Sequence, residues 1–446
     1  MHRALCLALL IAGCGTSARP SGPRVTSTVP DDGAVDVPLL PDIAVTFSSP
    51  MDEETVTAAL SGTACTGSIQ VSEDDFITCV AFAAAPQSDD ERTFLVRPAL
   101  PLDAVEGYSL RVTRDARSSK GYRLEGAFEM DAGFTTVDAP AVLSTFPADD
   151  AVAVDTSALS ITFTREMAPA TITTQTSTNT CIGTIQVSTD DFATCLDMLA
   201  APASGDGITF TVIPAGGLAS ATTHRFRVTG DAEDLDGNPT GQAFESPNGF
   251  LTRYLHTIVI DGVNDFVTAN ERFDTSSSGS GYYAYLAWDR DTLFVGVEGA
   301  DIGSASATRF VLVYLGGTAG TTAGQTYNTQ SPLLPFDALW HVRWKADNTL
   351  TDAQTWDGMA WVTAPWNATA FQSGTYLELS IPLAELGSPA TLPVHVSMIN
   401  EQGGAEATFS VAPATSIAAD GVDPDYAEHF LLDLAGSTLP SAHLPE

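Results

Sequence analysis

This chain of 446 residues has little positive charge, and lysine in particular occurs only at Lys120 and Lys345. Its 19 basic side chains stand against 55 acidic ones, which gives a formal net charge of −36. Such a surface repels a phosphate backbone and no basic stripe offsets it, so we exclude nucleic acid as a partner. The excess of carboxylates has two interpretations, binding of cations such as calcium or solubility in a salty exterior.

The sequence also lacks the short motifs of common catalytic sites. There is no GxSxG, no HExxH and no Gly-Lys-Ser/Thr phosphate loop. The seven histidines are scattered without a partner at useful spacing. Carboxylate pairs are so abundant by composition that they do not indicate glycoside hydrolysis. We therefore predict that the protein is not an enzyme.

A third absence is an apolar run long enough to cross a bilayer, which needs about twenty residues. The run Ala4–Ala12 is shorter, follows a basic start and precedes small residues, as in a secretory signal. Its end, Ile11-Ala12-Gly13-Cys14, resembles a bacterial lipobox. This resemblance implies removal of residues 1–13 and lipid modification of Cys14. The alternative is an ordinary signal peptide with a chance cysteine.

The residues after the predicted signal indicate how the protein is held. Residues 14–24 are rich in Gly, Ser and Pro and are predicted to form a flexible tether. The lipid would then attach the chain to the membrane as its only anchor. Gly15, in place of an aspartate after the cysteine, favours the outer membrane. We predict a lipid-anchored protein of the cell envelope, at the outer membrane or cell surface.

What the sequence does contain is a tandem repeat. The segment Ile69–Cys79, IQVSEDDFITC, returns as Ile185–Cys195, IQVSTDDFATC. A duplicated unit of about 115 residues has the size of a domain. We therefore predict two modules, residues 25–137 and 138–253. Short alternating strands such as Ile43–Phe47, separated by Gly, Pro and Asp turns, indicate β-sandwiches.

Each repeat carries one pair of cysteines with the same spacing. Three pairings of these four residues are possible in principle, but the duplication favours closure within each module. Metal binding would need further ligands at short spacing, and neither a CxxC motif nor a nearby histidine provides them. We predict structural disulfides formed in an oxidising compartment, Cys65–Cys79 and Cys181–Cys195.

A family resemblance supports this organisation. The leader Pro30–Val37, the strand that ends at Phe47 before Met51, and the closing Phe134–Thr136 resemble the bacterial Ig-like domain of the S-layer (SbsA) type. The resemblance implies that both modules act as spacers in a surface protein. In that family the acidic segment Asp231–Asn238 is a turn, and it lacks the spacing of an EF-hand calcium loop.

After residue 255 the repeat disappears, and we predict a third domain over residues 256–436 followed by a tail at 437–446. Three segments resemble the family 9 carbohydrate-binding module and its DOMON-like relatives: Ile260–Phe266, Tyr285–Val297 and Tyr376–Gly387. This resemblance implies another β-sandwich. The predicted fold class is therefore all-β, with two tandem Ig-like sandwiches followed by a larger one.

The resemblance also implies a ligand, since sugar-binding members hold a terminal sugar between tryptophans. Five of the six tryptophans fall within residues 340–366, and three near turns are candidates for sugar contact: Trp356, Trp361 and Trp366. We predict a non-catalytic head for polysaccharide or glycoconjugate. The alternative is a structural or adhesion protein that binds protein or calcium without recognising sugar.

Two cofactors remain open at this point. Calcium could be bound by oxygen ligands at Asp261, Asp265, Asp289 or Asp301, although these could equally be turn-forming residues. Some relatives of the predicted fold hold haem through Met and His, which is a remote alternative with electron transfer as the function. The residues for haem would come from this set: Met359, Met398, His341 and His395.

Overall fold

The structure is a computed structural model that describes residues 21–277, 281–402, 407–414 and 423–443. Cys14, the lipobox and most of the predicted tether therefore lie outside the described residues. Within those ranges, no helix is both long and apolar enough to cross a membrane. The fold is all-β, as predicted, and consists of consecutive two-sheet sandwiches.

The first module is a sandwich of two small sheets. One sheet has the order β1-β3-β5 and the other β2-β8-β6-β4, with β7 beside β6. Side chains of both sheets share one apolar core. Ile43, Val45 and Phe47 are buried and alternate with partly exposed neighbours, because successive side chains of a strand point to opposite faces. The elements are β1 (Val25–Val29), β2 (Ala34–Val37), β3 (Ile43–Phe47), a 3-10 helix (Glu53–Thr55), β4 (Ile69–Ser72), β5 (Thr93–Val96), β6 (Gly107–Val112), β7 (Phe128–Glu129) and β8 (Phe134–Thr136).

The second module repeats this design with sheets β9-β10-β12 and β11-β13-β14, and β15 pairs with β13. Its core repeats the first in detail. The edge-to-face pair Phe47–Phe94, with ring centroids 5.8 Å apart, recurs as Phe163–Phe210 at 5.9 Å. The strands are β9 (Val142–Phe146), β10 (Leu159–Phe163), β11 (Ile185–Ser188), β12 (Thr209–Val212), β13 (Thr223–Val228), β14 (Phe244–Glu245) and β15 (Phe250–Leu251).

Both predicted disulfides are present. Cys65 is bonded to Cys79 and Cys181 to Cys195, with Cα–Cα distances of 4.9 and 5.0 Å. Each bridge closes a loop that carries an exposed turn, and in the first copy Arg111 lies 3.9 Å above the Phe76 ring of that turn. The bridge therefore holds an element that has few core contacts of its own.

The third domain is a larger sandwich. Its described part has one sheet of order β16-β18-β19-β25-β24 and a second of order β17-β27-β26-β20-β21-β22-β23, with β28 beside β26. The core between these sheets contains Trp288 and Trp344, both fully buried. The strands are β16 (Arg272–Asp274), β17 (Ser276–Ser277), β18 (Tyr283–Trp288), β19 (Thr292–Glu298), β20 (Arg309–Ala323), β21 (Leu333–Lys345), β22 (Thr351–Trp356), β23 (Trp361–Thr363), β24 (Thr369–Ser373), β25 (Tyr376–Pro382), β26 (Thr391–Asn400), β27 (Ala407–Ala412) and β28 (Phe430–Asp433). The helical turns are α1 (Thr268–Glu271) and the 3-10 helices Ile302–Ser304, Leu383–Leu386 and Pro440–Ala442.

A buried polar contact joins the two Ig-like modules. The Leu39 N–H donates to Asn238 Oδ1 at 2.8 Å, and Asn238 is only 2% exposed. Asn238 in turn donates its backbone N–H and its amide to Asp234 at 2.9 to 3.1 Å. The acidic segment that contains both residues is thus a structural turn, which agrees with the turn interpretation of the sequence.

A second junction joins the second module to the third domain. Asp155 accepts from Arg290 Nε at 2.9 Å and lies 3.5 Å from Arg253 Nη1. Arg253 Nε also donates to the Leu434 carbonyl at 3.0 Å, and the Ala153 N–H donates to Ser437 Oγ at 2.9 Å. Ser437 belongs to the predicted tail, which therefore begins against the second module, while His443 further along the tail lies against Trp288 and the Leu431 carbonyl of the third domain.

We expect loss of the second disulfide to destabilise its module. Closing a ring of this size, with a sequence separation of 14, restricts the unfolded chain by about 3 kcal/mol. The Cys181→Ala/Cys195→Ala variant should therefore unfold at a lower denaturant concentration, measured by far-UV circular dichroism. The matched variant Cys65→Ala/Cys79→Ala should lose a similar amount, and no loss in either would contradict a structural role.

We expect the Leu39–Asn238 contact to fix the relative orientation of the two Ig-like modules. Asn238→Ala leaves the buried Leu39 N–H without its acceptor, which costs about 1–3 kcal/mol. We expect a lower unfolding temperature and a broader distribution of module orientations in small-angle X-ray scattering of the full chain. Asp236→Ala, at an exposed position of the same turn, is the control. An unchanged scattering profile for Asn238→Ala would show that this contact does not fix the modules.

Candidate functional site in the C-terminal domain

The long hairpin β20–β21 organises the outer face of the larger sheet. In its inner part Leu315 pairs with Trp340, but the next pair is Gly316 with Ala338, so Leu339 is an extra residue. A β-bulge of this kind reverses which face the following side chains occupy. Trp340 therefore packs toward the core between the sheets, whereas Phe336 and Ala338 point to the opposite face.

On that opposite face lies a second apolar group, which we call the outer cluster. Its members are Phe310, Leu312, Tyr314, Tyr327, Leu334, Phe336, Ala338, Ile399, Val411 and Tyr426. In the sequence, Trp340, Val342 and Trp344 alternate with His341, Arg343 and Lys345, which predicts a half-buried strand. This prediction is wrong at His341, which is 0% exposed. Tyr327, between β20 and β21, and Tyr426, before β28, cover this face of the sheet. The face is therefore closed to solvent.

Two histidines are built into the outer cluster. His341 stacks on Tyr314 with ring centroids 4.2 Å apart, and its Nε2 lies 2.8 Å from the Tyr327 hydroxyl. His395 lies 4.2 Å from the ring of Tyr426. Burial lowers the pKa of His341 to about 3, helped by the nearby Arg343 charge, and burial also lowers the pKa of His395 to about 3. Both are neutral at neutral pH and pack as aromatic rings.

The possible haem ligands are not brought together. Met398 and His395 lie on opposite faces of β26, and Met398 belongs to the core between the sheets. Met359 is 86% exposed, in the turn between β22 and β23. Nowhere in the described ranges do three or more His, Cys, Asp or Glu side chains converge as metal ligands.

The four aspartates proposed for calcium lie in turns at separate places. Asp289 accepts the Asp291 and Thr292 N–H groups at 2.9 and 2.8 Å between β18 and β19. Asp301, after β19, is paired with Arg309 and with the Tyr282 hydroxyl.

The other two aspartates lie in the segment before α1. Asp261 Oδ1 accepts the Val263 N–H at 2.9 Å, and Asp265 Oδ2 accepts the Val259 N–H at 3.4 Å. The geometry therefore favours the turn-forming interpretation for Asp261, Asp265 and Asp289, whereas the Asp301 side chain is engaged by Arg309 and Tyr282.

Two of the three candidate tryptophans are neighbours. Trp356 ends β22, Trp361 begins β23, and their ring centroids are 5.9 Å apart. Trp361 is fixed by a hydrogen bond from its indole N–H to the Ala323 carbonyl at 3.0 Å. Trp366 lies apart from them and packs against the core between the sheets.

Sequence reasoning missed a cleft at one end of this domain. It has a volume of about 570 Å³ and lies where the long hairpin passes the beginning of β26. Trp340, Asp337 and Thr391 are among its lining residues. The glycine-rich stretch 316–324 was the available signal, since glycines inside a strand mark a bulge or a close backbone approach.

The buried histidines predict a loss of stability in acid. Their pKa is lowered to about 3 in the folded state but is near 6.5 when unfolded, so the unfolded chain binds more protons and stability falls as pH drops from 6.5 toward 3. His395→Leu should reduce that pH slope by about 1.4 kcal/mol per pH unit. The free energy of unfolding of this variant and of the wild-type chain is measured with denaturant at pH 7, 5.5 and 4.5. Equal dependence on pH in the two proteins would contradict the prediction.

The first two domains match a known protein family. The model of the bacterial Ig-like domain family matches residues 20–136 and 137–250, more than half of the chain. No curated protein sequence matches the chain.

Two solved structures are among those similar to it. The N-terminal part of the bacterial S-layer protein SbsC is 14% identical, with 51% of this chain and 44% of that one covered and a TM-score of 0.20. The I-band fragment I67–I69 of titin is 7% identical, with 92% and 100% covered and a TM-score of 0.22. Because these superpositions are so loose, we draw no functional conclusion from them.

The family assignment rests on the sequence match, and the two matched segments correspond to the two smaller sandwiches with their repeated cores and disulfides. The chain belongs to the bacterial Ig-like domain family, with one copy in residues 20–136 and a second in residues 137–250.

Proposed function

We propose that the protein is a non-catalytic lipoprotein of the cell envelope, at the outer membrane or cell surface, in which two Ig-like modules hold the third domain away from the lipid as a binding head. The observation that carries this proposal is the pair of polar junctions. Leu39–Asn238 joins the modules, and the Asp155–Arg253–Arg290 group joins the second module to the head. Contacts at both boundaries limit bending between the domains, as a spacer requires.

The two histidines of the outer cluster are not suited to general acid–base catalysis. A general acid or base works best with a pKa near the operating pH. The two histidines buried in the head have a pKa of about 3 and pack against tyrosines, so they are unsuited to proton transfer at neutral pH. Their place in the outer cluster is better explained by packing.

We further propose that the head binds polysaccharide or glycoconjugate. The support is the Trp356–Trp361 pair at the tip of the β22–β23 hairpin, where both rings are partly exposed. Sugar rings present C–H faces that pack on aromatic surfaces, while their hydroxyls need polar partners. Because Trp361 is already held by Ala323, its ring loses little conformational entropy on binding.

Binding of the full chain to a glycan array tests this function, with the protein in a detergent that carries no sugar. We expect a hit that free saccharide abolishes, and Trp356→Ala should weaken it about tenfold, equivalent to roughly 1.4 kcal/mol. Tyr122→Ala removes an aromatic ring that is 43% exposed in the first module and should change nothing. Absence of any hit from the folded chain, with and without calcium, would overturn the glycan proposal in favour of a structural or adhesion role.

A further inference from the structure

We propose that the head has a second saccharide-binding site, in the cleft beside Trp340. This inference rests on the proposed function and adds a place and a set of contacts to it. The cleft has a volume of about 570 Å³, enough for one or two sugar rings. Parts of three segments line it: residues 316–318 of β20, residues 336–340 of β21, and residues 386–393 around the start of β26.

A distortion of the sheet forms the cleft. Both Gly316 and Thr321 lie opposite Ala338, so residues 317–320 leave the ladder and loop outward. Within that loop Ala319 has a φ of 67°, a left-handed conformation that is unfavourable for a residue other than glycine. Bulges occur preferentially beside functional sites, where they redirect a side chain or end strand pairing.

Glycine is required where the backbone passes the aromatic wall. A Cβ atom on Gly317 would lie 2.6 Å from Cζ3 of Trp340, and one on Gly316 would lie 2.5 Å from Cγ of Pro393. Any larger residue would displace the indole or the proline. The sequence therefore keeps the Trp340 ring against bare backbone at Gly317, at a position where the ring also lines the cleft.

Trp340 is well placed to hold a sugar ring. It is partly exposed, and its other side packs against the core between the sheets, so its rotamer is fixed before a ligand arrives. A preorganised aromatic surface binds at a lower cost in conformational entropy than a mobile one. Pro389 and Pro393 add rigid apolar walls.

Three polar side chains of the cleft are available for hydroxyl groups. Thr318, Asp337 and Thr391 are exposed, and within the described ranges their side chains make no hydrogen bond or ion pair. Many aspartates elsewhere in this domain are already engaged. Asp357, for example, accepts the Met359 and Ala360 N–H groups at 2.9 and 2.8 Å.

The lining also excludes other ligand classes. The described residues that line it include no Lys, Arg or His, so phosphate or sulfate groups would find no cationic partner among them. Asp337 is the one carboxylate in the described part of the lining, which is too few for a calcium site. The mixture of aromatic, proline, hydroxyl and single carboxylate groups matches a neutral saccharide, whose rings have apolar faces and polar edges.

The test follows the six indole N–H signals in the ¹H–¹⁵N NMR spectrum of the full chain, in a detergent without sugar. Single Trp→Phe variants assign the signals. The additives are glucose, galactose, mannose, N-acetylglucosamine, xylose and the β-1,4-linked dimers of glucose and N-acetylglucosamine. We expect at least one additive to shift the Trp340 signal with saturation. Asp337→Asn and Thr391→Ala should each weaken that binding about tenfold, whereas Thr322→Ala, on the same hairpin but outside the cleft, should not.

The possible results separate this inference from the proposed function. Saturable shifts of Trp356 or Trp361 alone, unaffected by the Asp337 and Thr391 variants, would overturn the cleft site and leave the glycan-binding function standing. No shift of any indole by these additives, together with a glycan-array hit that Trp356→Ala weakens, would likewise overturn the cleft site alone. No shift and no array hit would overturn both. Asp337→Asn and Thr391→Ala change exposed side chains, so both variants should fold normally.

Discussion

The arrangement of this protein depends on one buried amide. Asn238 donates to both Asp234 oxygens and accepts the Leu39 N–H of the preceding module, so its polar atoms are satisfied only when the two modules meet at one angle. A buried donor or acceptor that loses its partner costs about 1–3 kcal/mol, which is a large fraction of the stability of a small domain. This turn therefore links the two Ig-like modules that precede the head.

Much of the two modules could be predicted from sequence because the relevant signals are local or repeated. The alternation in Ile43–Phe47 reflects a strand with one buried face, and the duplication indicated which cysteines pair. In the third domain the sequence predicts strands at Arg309–Leu315 and Leu339–Lys345, and both strands are present but much longer. β20 runs to Ala323 and β21 begins at Leu333, because their outer halves pair mainly with each other.

The site in the third domain was less predictable because it depends on contacts between distant segments. His341 looks solvent-facing in a pattern that alternates with Trp340, yet it is fully buried, with Tyr314 stacked on its ring and the Tyr327 hydroxyl at its Nε2. Alternation reports the period of a strand, not what lies on its second face. The sequence pattern also does not show the bulge at Leu339. One extra residue in a strand moves all the following side chains to the opposite face of the sheet. The sequence left calcium binding and turn formation open for four aspartates, and in the fold three of them accept backbone N–H groups in turns while Asp301 pairs with Arg309.

The two Ig-like modules differ at one equivalent turn. The turn that contains Asn238 has an equivalent in the first module, where Ser118 replaces Asp234 and Tyr122 replaces Asn238. Both turns have the same form, with a glycine at φ 82° or 80° and a side-chain oxygen that accepts the N–H four residues later. Tyr122 is 43% exposed, whereas Asn238 is 2% exposed against the preceding module. One scaffold therefore carries an exposed ring in the first module and a fully bonded amide in the second, where the described residues of the preceding sandwich pack against the turn.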